Sequence, residues 1–410
     1  MMSRPVLLLL SLLLAGGVGA QDVGRFAIVG GVVHSMTGPP LGNGTVLVRD
    51  GKIEKVGAVD EVDVPKGYEV IDAAGKWVVP GFIELHNHTL ASDLHDNVFQ
   101  VNPELRVLDN VDMDGPAARI AVAGGITSAL IIPGSGSNMG GFGVIVKTYG
   151  KTPKDVIMKF PGALKIAQAG NPEQSDGDLG ATRMGMNWMI RNVLQEGKAY
   201  HEAWTRFEKG ETEVKPEKST RYEYFRGLFR GDYPVTVHTQ MMQVVQSTMR
   251  ILHDELGLKV VVDHGTFTGY LNSPEFAKRR IPAAIGPREF WYDRQTGRMQ
   301  GCAAAWYWLG LGDDLIGINT DSPGVPQEEL FYQGTWCIRM GLPERAALRG
   351  LTINAAKMLM IEDRVGTLEP GKDADICVWT GDPFDPRHRT QVVFVNGKKA
   401  YDADRDGIRF

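Results

Sequence analysis

A chain of 410 residues is longer than one ordinary domain, so two domains are expected. Its composition, 43% hydrophobic and 23% charged, is typical of a globular protein with a large core and excludes a largely disordered chain. The formal net charge is -5 and no dense lysine or arginine cluster is present, so nucleic acid is not an expected partner.

The N-terminal segment, residues 1–20, predicts a cleavable signal peptide. Arg4 precedes an apolar run from Val6 to Ala15, and small residues end at Ala20. The run is shorter than the roughly 20 residues that a membrane-spanning helix needs. No cysteine follows Ala20, so neither a lipid anchor nor a membrane anchor is expected after cleavage. The predicted location is therefore periplasmic or secreted.

Short β-branched runs broken by turn residues occur near both ends of the chain. Between residues 26 and 79 they include Asp50-Gly51, a dipeptide that favours a type I′ hairpin turn. The same pattern returns after Gly366, with Asn396-Gly397 as a second turn. We predict one small, discontinuous β-sandwich domain from residues 24–80 plus 366–405.

Residues 81–365 alternate short apolar runs with longer helical stretches, which indicates βαβ units. Eight candidate strands are Val78 to Leu85, Thr127 to Ile132, Gly143 to Lys147, Val156 to Phe160, Val235 to Val237, Val260 to Asp263, Ala283 to Ile285 and Ile316 to Thr320. Helical stretches include Ala117 to Ala123, Asn187 to Leu194, Met241 to Leu256 and Gln327 to Met340. The predicted fold is an α/β fold, a (β/α)8 TIM barrel. An open doubly wound sheet is the alternative, because periodicity does not report closure.

Four histidines and one aspartate stand at the C-terminal ends of candidate strands, where such a barrel builds its active site. His86 and His88 follow the first strand, and their spacing puts both imidazoles on one face. His238, His264 and Asp321 end later strands. Imidazole with carboxylate suits zinc, and also manganese, iron or nickel. A divalent metal site, with zinc the expected ion, is therefore predicted.

Two stretches resemble the amidohydrolase superfamily, in particular its branch of imidazolonepropionases and exported dipeptidase-like enzymes. Residues 79–88, Val-Pro-Gly-Phe-Ile-Glu-Leu-His-Asn-His, are similar to the family's Pro-Gly-Phe-Ile-Asp-X-His-X-His, with Glu84 where aspartate is usual. Residues 352–357 and 365–375 resemble the family's passage from the last barrel helix back into the small sheet domain. The resemblance spans nearly the whole chain after the signal peptide.

The resemblance implies roles for the five residues. His86 and His88 would bind one metal, and His238 and His264 would bind a second metal or complete the first. Asp321 would be a ligand and the general base that later returns the proton to the leaving nitrogen, with His264 as its partner in catalysis.

One departure from the family concerns a bridging ligand. Many relatives carry a carboxylated lysine or a glutamate after the third or fourth strand, and in this chain the glutamate position is Gly170. Lys165 remains as a possible bridging ligand, or as a structural lysine. One metal is favoured, and two stay open.

The predicted function is hydrolysis of a C–N bond in an amide, a dipeptide or a cyclic amide. Deamination, lactone opening and an inactive ligand-binding homologue are alternatives, because the predicted site activates water but does not determine which substrate group the water attacks. Arg183, Tyr270 and Arg288 are candidates for binding a substrate carboxylate. The glycine-rich stretch of residues 133–141 is interpreted as a loop at the barrel mouth. The expected partners are a small-molecule or short-peptide substrate and a second copy of the chain.

Overall fold

A computed structural model describes residues 24–92, 94, 99–113, 115–168, 170–173, 182–287, 290–294 and 297–409. The predicted signal peptide and Arg288 lie outside these residues. No helix in the described ranges is long and apolar enough to cross a membrane.

The described residues form twenty strands and eleven α-helices. The strands are β1 (Phe26–Val33), β2 (Leu41–Arg49), β3 (Lys52–Ala58), β4 (Glu69–Asp72), β5 (Trp77–Pro80), β6 (Phe82–Asn87), β7 (Ile126–Ile131), β8 (Met139–Phe142), β9 (Val144–Lys147), β10 (Ile157–Lys159), β11 (Leu164–Ala167), β12 (Val235–Thr239), β13 (Val260–His264), β14 (Ala283–Ile285), β15 (Phe290–Asp293), β16 (Arg298–Gly301), β17 (Ile316–Ile318), β18 (Ile376–Trp379), β19 (Thr390–Val395) and β20 (Lys398–Asp402).

The helices connect most of the central strands. They are α1 (Pro116–Ala123), α2 (Pro153–Val156), α3 (Arg183–Glu208), α4 (Phe225–Arg230), α5 (Met242–Thr248), α6 (Ser273–Arg279), α7 (Cys302–Trp306), α8 (Leu330–Arg339), α9 (Glu344–Leu351), α10 (Ile353–Leu359) and α11 (Ala403–Asp406). Short π segments follow α5 and α7 at Met249–Glu255 and Tyr307–Leu311. Each predicted helical stretch is present, and α3 is much longer than the stretch predicted within it.

Strands from the N-terminal and C-terminal parts of the chain pair in one eight-stranded sheet, in the order β20-β19-β18-β5-β1-β2-β3 with β4 on β1. The two predicted hairpins are confirmed, because Asp50-Gly51 joins β2 to β3 and Asn396-Gly397 joins β19 to β20. All four turn residues have positive φ, as a type I′ turn requires. A sandwich of two facing sheets is not confirmed, and the boundaries at residues 80 and 366 stay predictions.

The central part contains a four-stranded sheet, β10-β9-β7-β6, and a six-stranded sheet, β17-β14-β13-β12-β11-β8. One of the eight predicted barrel strands runs in the wrong direction, because β9 is antiparallel to β7. β10, which is antiparallel to β9, has the predicted direction but lies at the edge of the four-stranded sheet beside β9. The parallel neighbour of β12 is instead β11, which the sequence did not predict. A buried apolar run indicates a strand but carries no information about its direction, which explains the error.

The two central sheets meet along two lines. Near one, Gly143 lies between β8 and β9, so a single stretch of chain pairs with β11 in one sheet and with β7 in the other. Near the other, Asn87 forms an isolated parallel bridge with Ser322, beside β6 and just after β17. Among the described residues no continuous ladder closes the barrel.

Candidate metal centre

The strands bring the five predicted residues to one end of the central sheets. His86 lies in β6 and His88 follows it directly, while His238 and His264 lie at the ends of the parallel neighbours β12 and β13. Asp321 follows β17. The four histidines are buried or nearly so, and the Asp321 side chain keeps 28% of its surface exposed. One carboxylate therefore faces solvent from a buried imidazole cluster.

The ligand atoms of His86, His88 and Asp321 converge. His86 Nε2 lies 3.1 Å from His88 Nε2 and 3.2 Å from Asp321 Oδ1, and His88 Nε2 lies 3.3 Å from the same oxygen. A tetrahedral zinc ion with ligands at about 2.1 Å separates neighbouring ligand atoms by about 3.4 Å. The three atoms, which all lie within 4.8 Å of one another, therefore fit one face of such a site.

Backbone carbonyls fix the orientation of two rings. Nδ1 of His88 donates to the oxygen of Ile132 at 2.8 Å, and Nδ1 of His264 donates to the oxygen of Gly286 at 2.6 Å. Since a carbonyl only accepts, both rings carry their proton on Nδ1, which leaves Nε2 as the ligand atom. Nε2 of His264 is buried and has no hydrogen-bond partner among the described residues.

His238 and His264 extend the cluster. The His264 ring centroid lies 4.8 Å from that of His86 and 4.4 Å from that of His238. Ring contacts therefore link all four predicted histidines, in the order His238, His264, His86 and His88.

Burial keeps the cluster in the form that binds metals. It lowers the pKa of His86 well below its usual value and also lowers the pKa of His264, so both imidazoles are neutral. For Asp321, burial acts to raise the pKa, but the neighbouring imidazoles of the cluster and the cation of Lys165 outweigh it and lower the pKa. Neutral imidazoles beside an ionised carboxylate are a suitable donor set for zinc.

Lys165 joins this cluster from the middle of β11. Its Nζ lies 3.0 Å from His86 Nε2 and 4.0 Å from Asp263 Oδ2, and the residue is 1% exposed. Burial lowers the pKa of its ammonium group to about 8. A buried lysine with a lowered pKa has a larger neutral fraction, which is the form that carboxylation needs.

Two buried carboxylates beside His86 were not predicted. Asp263 Oδ2 lies 3.2 Å from His86 Nδ1 and accepts a hydrogen bond from Thr236 Oγ1. Glu84 accepts hydrogen bonds from the backbone of His86 and from Thr320, and burial raises its pKa to about 8 while those hydrogen bonds oppose the rise. The sequence did contain a signal for them, because each is an acidic residue inside an apolar strand. Burying a carboxylate is costly without a partner, so such a residue indicates a buried polar contact.

The backbone is strained at two of the five residues. His264 has φ of 70° and Asp321 has φ of 50°, a left-handed conformation that residues other than glycine seldom adopt. Such strain costs about 1–3 kcal/mol per residue and persists where the surrounding structure holds it. Its presence here agrees with a functional constraint on both side chains.

Comparison with known proteins identifies the family. The chain is 30% identical to an amidohydrolase from Thermotoga maritima MSB8 of known structure, with a TM-score of 0.81, and the match covers 92% of this chain and all of that one. The chain belongs to the amidohydrolase family. The Amidohydrolase family model itself matches residues 301–402. This amidohydrolase is therefore a hydrolase with a TIM-barrel-like α/β fold, as the sequence predicted.

Curated relatives are more distant. Amidohydrolase tasK of Hapsidospora irregularis is 25% identical over 404 residues, which are 88% of this chain but only 40% of tasK. Imidazolonepropionase of Shewanella baltica is 24% identical over 378 residues, covering 82% of this chain and 86% of the relative. The chain thus spans less than half of the first relative and most of the second.

The predicted substrate-binding residues of this amidohydrolase have different placements. Arg183 is the first residue of α3, and its Nε donates a hydrogen bond to Glu173 at 2.9 Å. Three residues before Glu173 is Gly170, where an added Cβ would lie 3.9 Å from His238 Nε2. Tyr270 is half-buried in a short 3-10 helix, Gly269–Asn272, and packs against the main hydrophobic core. Arg288 lies outside the described residues. Arg183 is thus held in an exposed ion pair, and the roles of all three residues in substrate binding stay predictions.

Proposed function

We propose that this amidohydrolase is a metal-dependent hydrolase that cleaves a C–N bond in an amide, a dipeptide or a cyclic amide. The observation that carries the proposal is the convergence of His86, His88 and Asp321, with ligand atoms 3.1 to 3.3 Å apart. Neutral rings of fixed orientation, with Nε2 turned inward, support it further.

Zinc is the proposed ion, held by His86, His88 and Asp321 with His264 and His238 completing one site or forming a second. A divalent cation held there would lower the pKa of water and polarise a carbonyl oxygen. Lys165, after carboxylation, is the proposed bridging ligand if two ions bind. Its Nζ, 3.0 Å from His86 Nε2, lies close enough to the cluster for that role.

Asp321 is the proposed general base. Its Oδ1 faces His86 and His88, so Oδ2 is the atom that accepts the proton from water and later donates it to the leaving nitrogen. The partial exposure of this carboxylate supports contact with substrate. His264 is proposed to act beside it, as the buried imidazole whose Nε2 has no other described partner.

The two central sheets are proposed to form one closed barrel. The supporting observations are the stretch through Gly143, which pairs with both sheets, and the bridge from Asn87 to Ser322. The small β-sandwich domain, export to the periplasm or the medium, and self-association are further proposals that rest on sequence patterns.

The decisive experiment measures metal per chain in protein purified without chelator, in the parent and in the double variant His86→Ala with His88→Ala. The parent is expected to hold about one or two equivalents and the variant to lose most of them. His201→Ala with His253→Ala is the matched control, because neither histidine lies in the cluster. Absence of metal from the parent, even after reconstitution, would refute the metal centre.

Product analysis then tests the reaction. A panel of dipeptides and cyclic amides is incubated with the metal-loaded parent, and new amines and carboxylates are quantified. Amine release that is lost in Asp321→Asn supports the proposal. Ammonia as the product identifies a deaminase, and turnover of lactones alone identifies a lactonase. Ligand binding without turnover identifies an inactive homologue.

A further inference from the structure

Glu84 connects β6, which carries His86, to the segment after β17 that carries Asp321. The side chain lies on β6 and is fully buried. One of its oxygens, Oε1, accepts the backbone N–H of His86 at 2.9 Å and, at the longer distance of 3.3 Å, that of Thr320. The other, Oε2, accepts from Thr320 twice, from the backbone N–H at 3.1 Å and from the hydroxyl at 2.7 Å. One carboxylate thus bonds the residue before Asp321 and the ligand His86 itself.

This contact lies where the backbone provides little connection. β6 is the last strand of the four-stranded sheet and β17 is the last strand of the six-stranded sheet, and no ladder joins them among the described residues. The backbone links nearby are the bridge from Asn87 to Ser322 and the hydrogen bond from the His88 N–H to the Ser322 oxygen. The separation of His86 from Asp321 therefore depends on side chains that span this seam.

We propose that Glu84 is a positioning residue that holds His86 and Asp321 at the separation a metal ion requires. The inference rests on the proposed metal-dependent function. Glutamate reaches about 1.5 Å further than the aspartate of the resembling family pattern, and here both of its oxygens are used across the seam. Without it, fewer contacts would hold the segment after β17 beside β6, and the ligand set would loosen.

Glu84→Gln tests this with almost no change in volume. The amide keeps one acceptor oxygen and replaces the other with an NH₂ group, which cannot accept. In one orientation the NH₂ faces the N–H of His86, which then loses its acceptor. In the other it faces the N–H of Thr320, which keeps only the longer contact with the remaining oxygen, so the hydrogen bond to one of the two residues is lost or weakened. Glu84→Asp keeps both oxygens and is the rescue variant.

Asp375→Asn is the matched control. Asp375 is also a buried carboxylate that joins distant parts of the chain, since it accepts from Lys147 Nζ at 2.6 Å and from the N–H of Asn396 at 2.8 Å. None of its contacts is with the metal cluster. Both amide variants are expected to lower the unfolding midpoint, so that loss of stability alone does not support the inference.

The measurements use the folded full chain. Zinc affinity is obtained by competition with a chromophoric chelator, and the Co²⁺-substituted protein gives a d–d spectrum that reports ligand geometry. Glu84→Gln is expected to weaken zinc binding about 10–100-fold, the usual effect of removing a partner that orients a ligand. Its Co²⁺ spectrum should shift and its kcat should fall more than KM changes. Glu84→Asp should recover part of the affinity.

The outcomes separate the two proposals. If the parent binds no zinc, the proposed function fails. If the parent binds zinc and Glu84→Gln has the same affinity and the same Co²⁺ spectrum, the positioning role is refuted whatever its stability. An equal loss of affinity in Asp375→Asn also refutes it, because the effect would then be a general consequence of destabilisation.

Discussion

Replacing Gly286 with alanine should disturb both the stability of the protein and its metal centre. Gly286 has φ of +142°, and a Cβ there would overlap the carbonyl oxygen of Asn319 and approach its carbonyl carbon to 2.9 Å. Comfortable carbon contacts are about 3.5–4.0 Å, so the two segments must separate by well over half an ångström. Gly286 also supplies the acceptor for His264 Nδ1, and Asn319 precedes Asp321 by two residues.

The cost can be assembled from these contacts. The separation threatens the hydrogen bond from the Asn319 N–H to the Ile285 oxygen and the one from His264 to Gly286, each worth about 1 kcal/mol. An alanine at positive φ adds about 1 kcal/mol or more. We expect the free energy of unfolding to fall by about 3 kcal/mol, from a typical total of about 5–15 kcal/mol.

Urea denaturation measures the loss, and chelator competition measures zinc affinity on the same sample. Gly67→Ala is the control, because Gly67 has φ of +94° with nothing within 4 Å of a new Cβ, so it isolates the backbone cost at about 1 kcal/mol. Equal losses in the two variants, with zinc affinity unchanged in Gly286→Ala, would refute the reasoning.

Three other predictions concern stability. Gly197→Ala should destabilise by about 2 kcal/mol despite the better helix propensity of alanine, because its Cβ would enter the Phe225 ring; a more stable variant in urea denaturation contradicts this. Lys147→Met should cost about 3–5 kcal/mol, since it leaves the buried carboxylate of Asp375 without its cation and removes one of the cations beside Asp373, which also pairs with Lys52 and Arg364; a loss under about 1 kcal/mol by the same assay contradicts this. Burial lowers the pKa of His34 to about 4 from 6.5, so the unfolded chain binds more protons than the folded chain between these values. The free energy of unfolding therefore decreases as the pH is lowered through that window. The loss should be about 2 kcal/mol between pH 7 and pH 4.5, and His34→Phe, which keeps the stacking on Trp77, should reduce it; an unchanged pH profile contradicts this.

The histidine cluster could be predicted because its residues end apolar runs. Parallel strands put their carboxyl ends together, so separate signals at His86, His238 and His264 converge without any knowledge of distances. Lys165 was predicted only through the family resemblance, and the structure places it inside β11, a strand that the sequence did not predict.

The carboxylates Glu84 and Asp263 could not be found in the same way. Each lies within a strand whose neighbours are buried and apolar, so its partners come from elements far away in sequence, as Thr320 does for Glu84. The direction of β9 was mispredicted for a related reason. Burial determines the composition of a strand, whereas the connection through Gly143 determines which way it runs.

The pairing of β5 with β18 has a consequence for synthesis on the ribosome. Val79 pairs with Cys377, so the partner of β5 emerges about 300 residues later, which at about 5–20 residues per second takes about 15–60 s. During that interval β5 presents unpaired backbone groups at an open edge, a template for pairing with another chain. Nascent chains that stall before β18 would keep that edge, and we expect them to need chaperones or to aggregate.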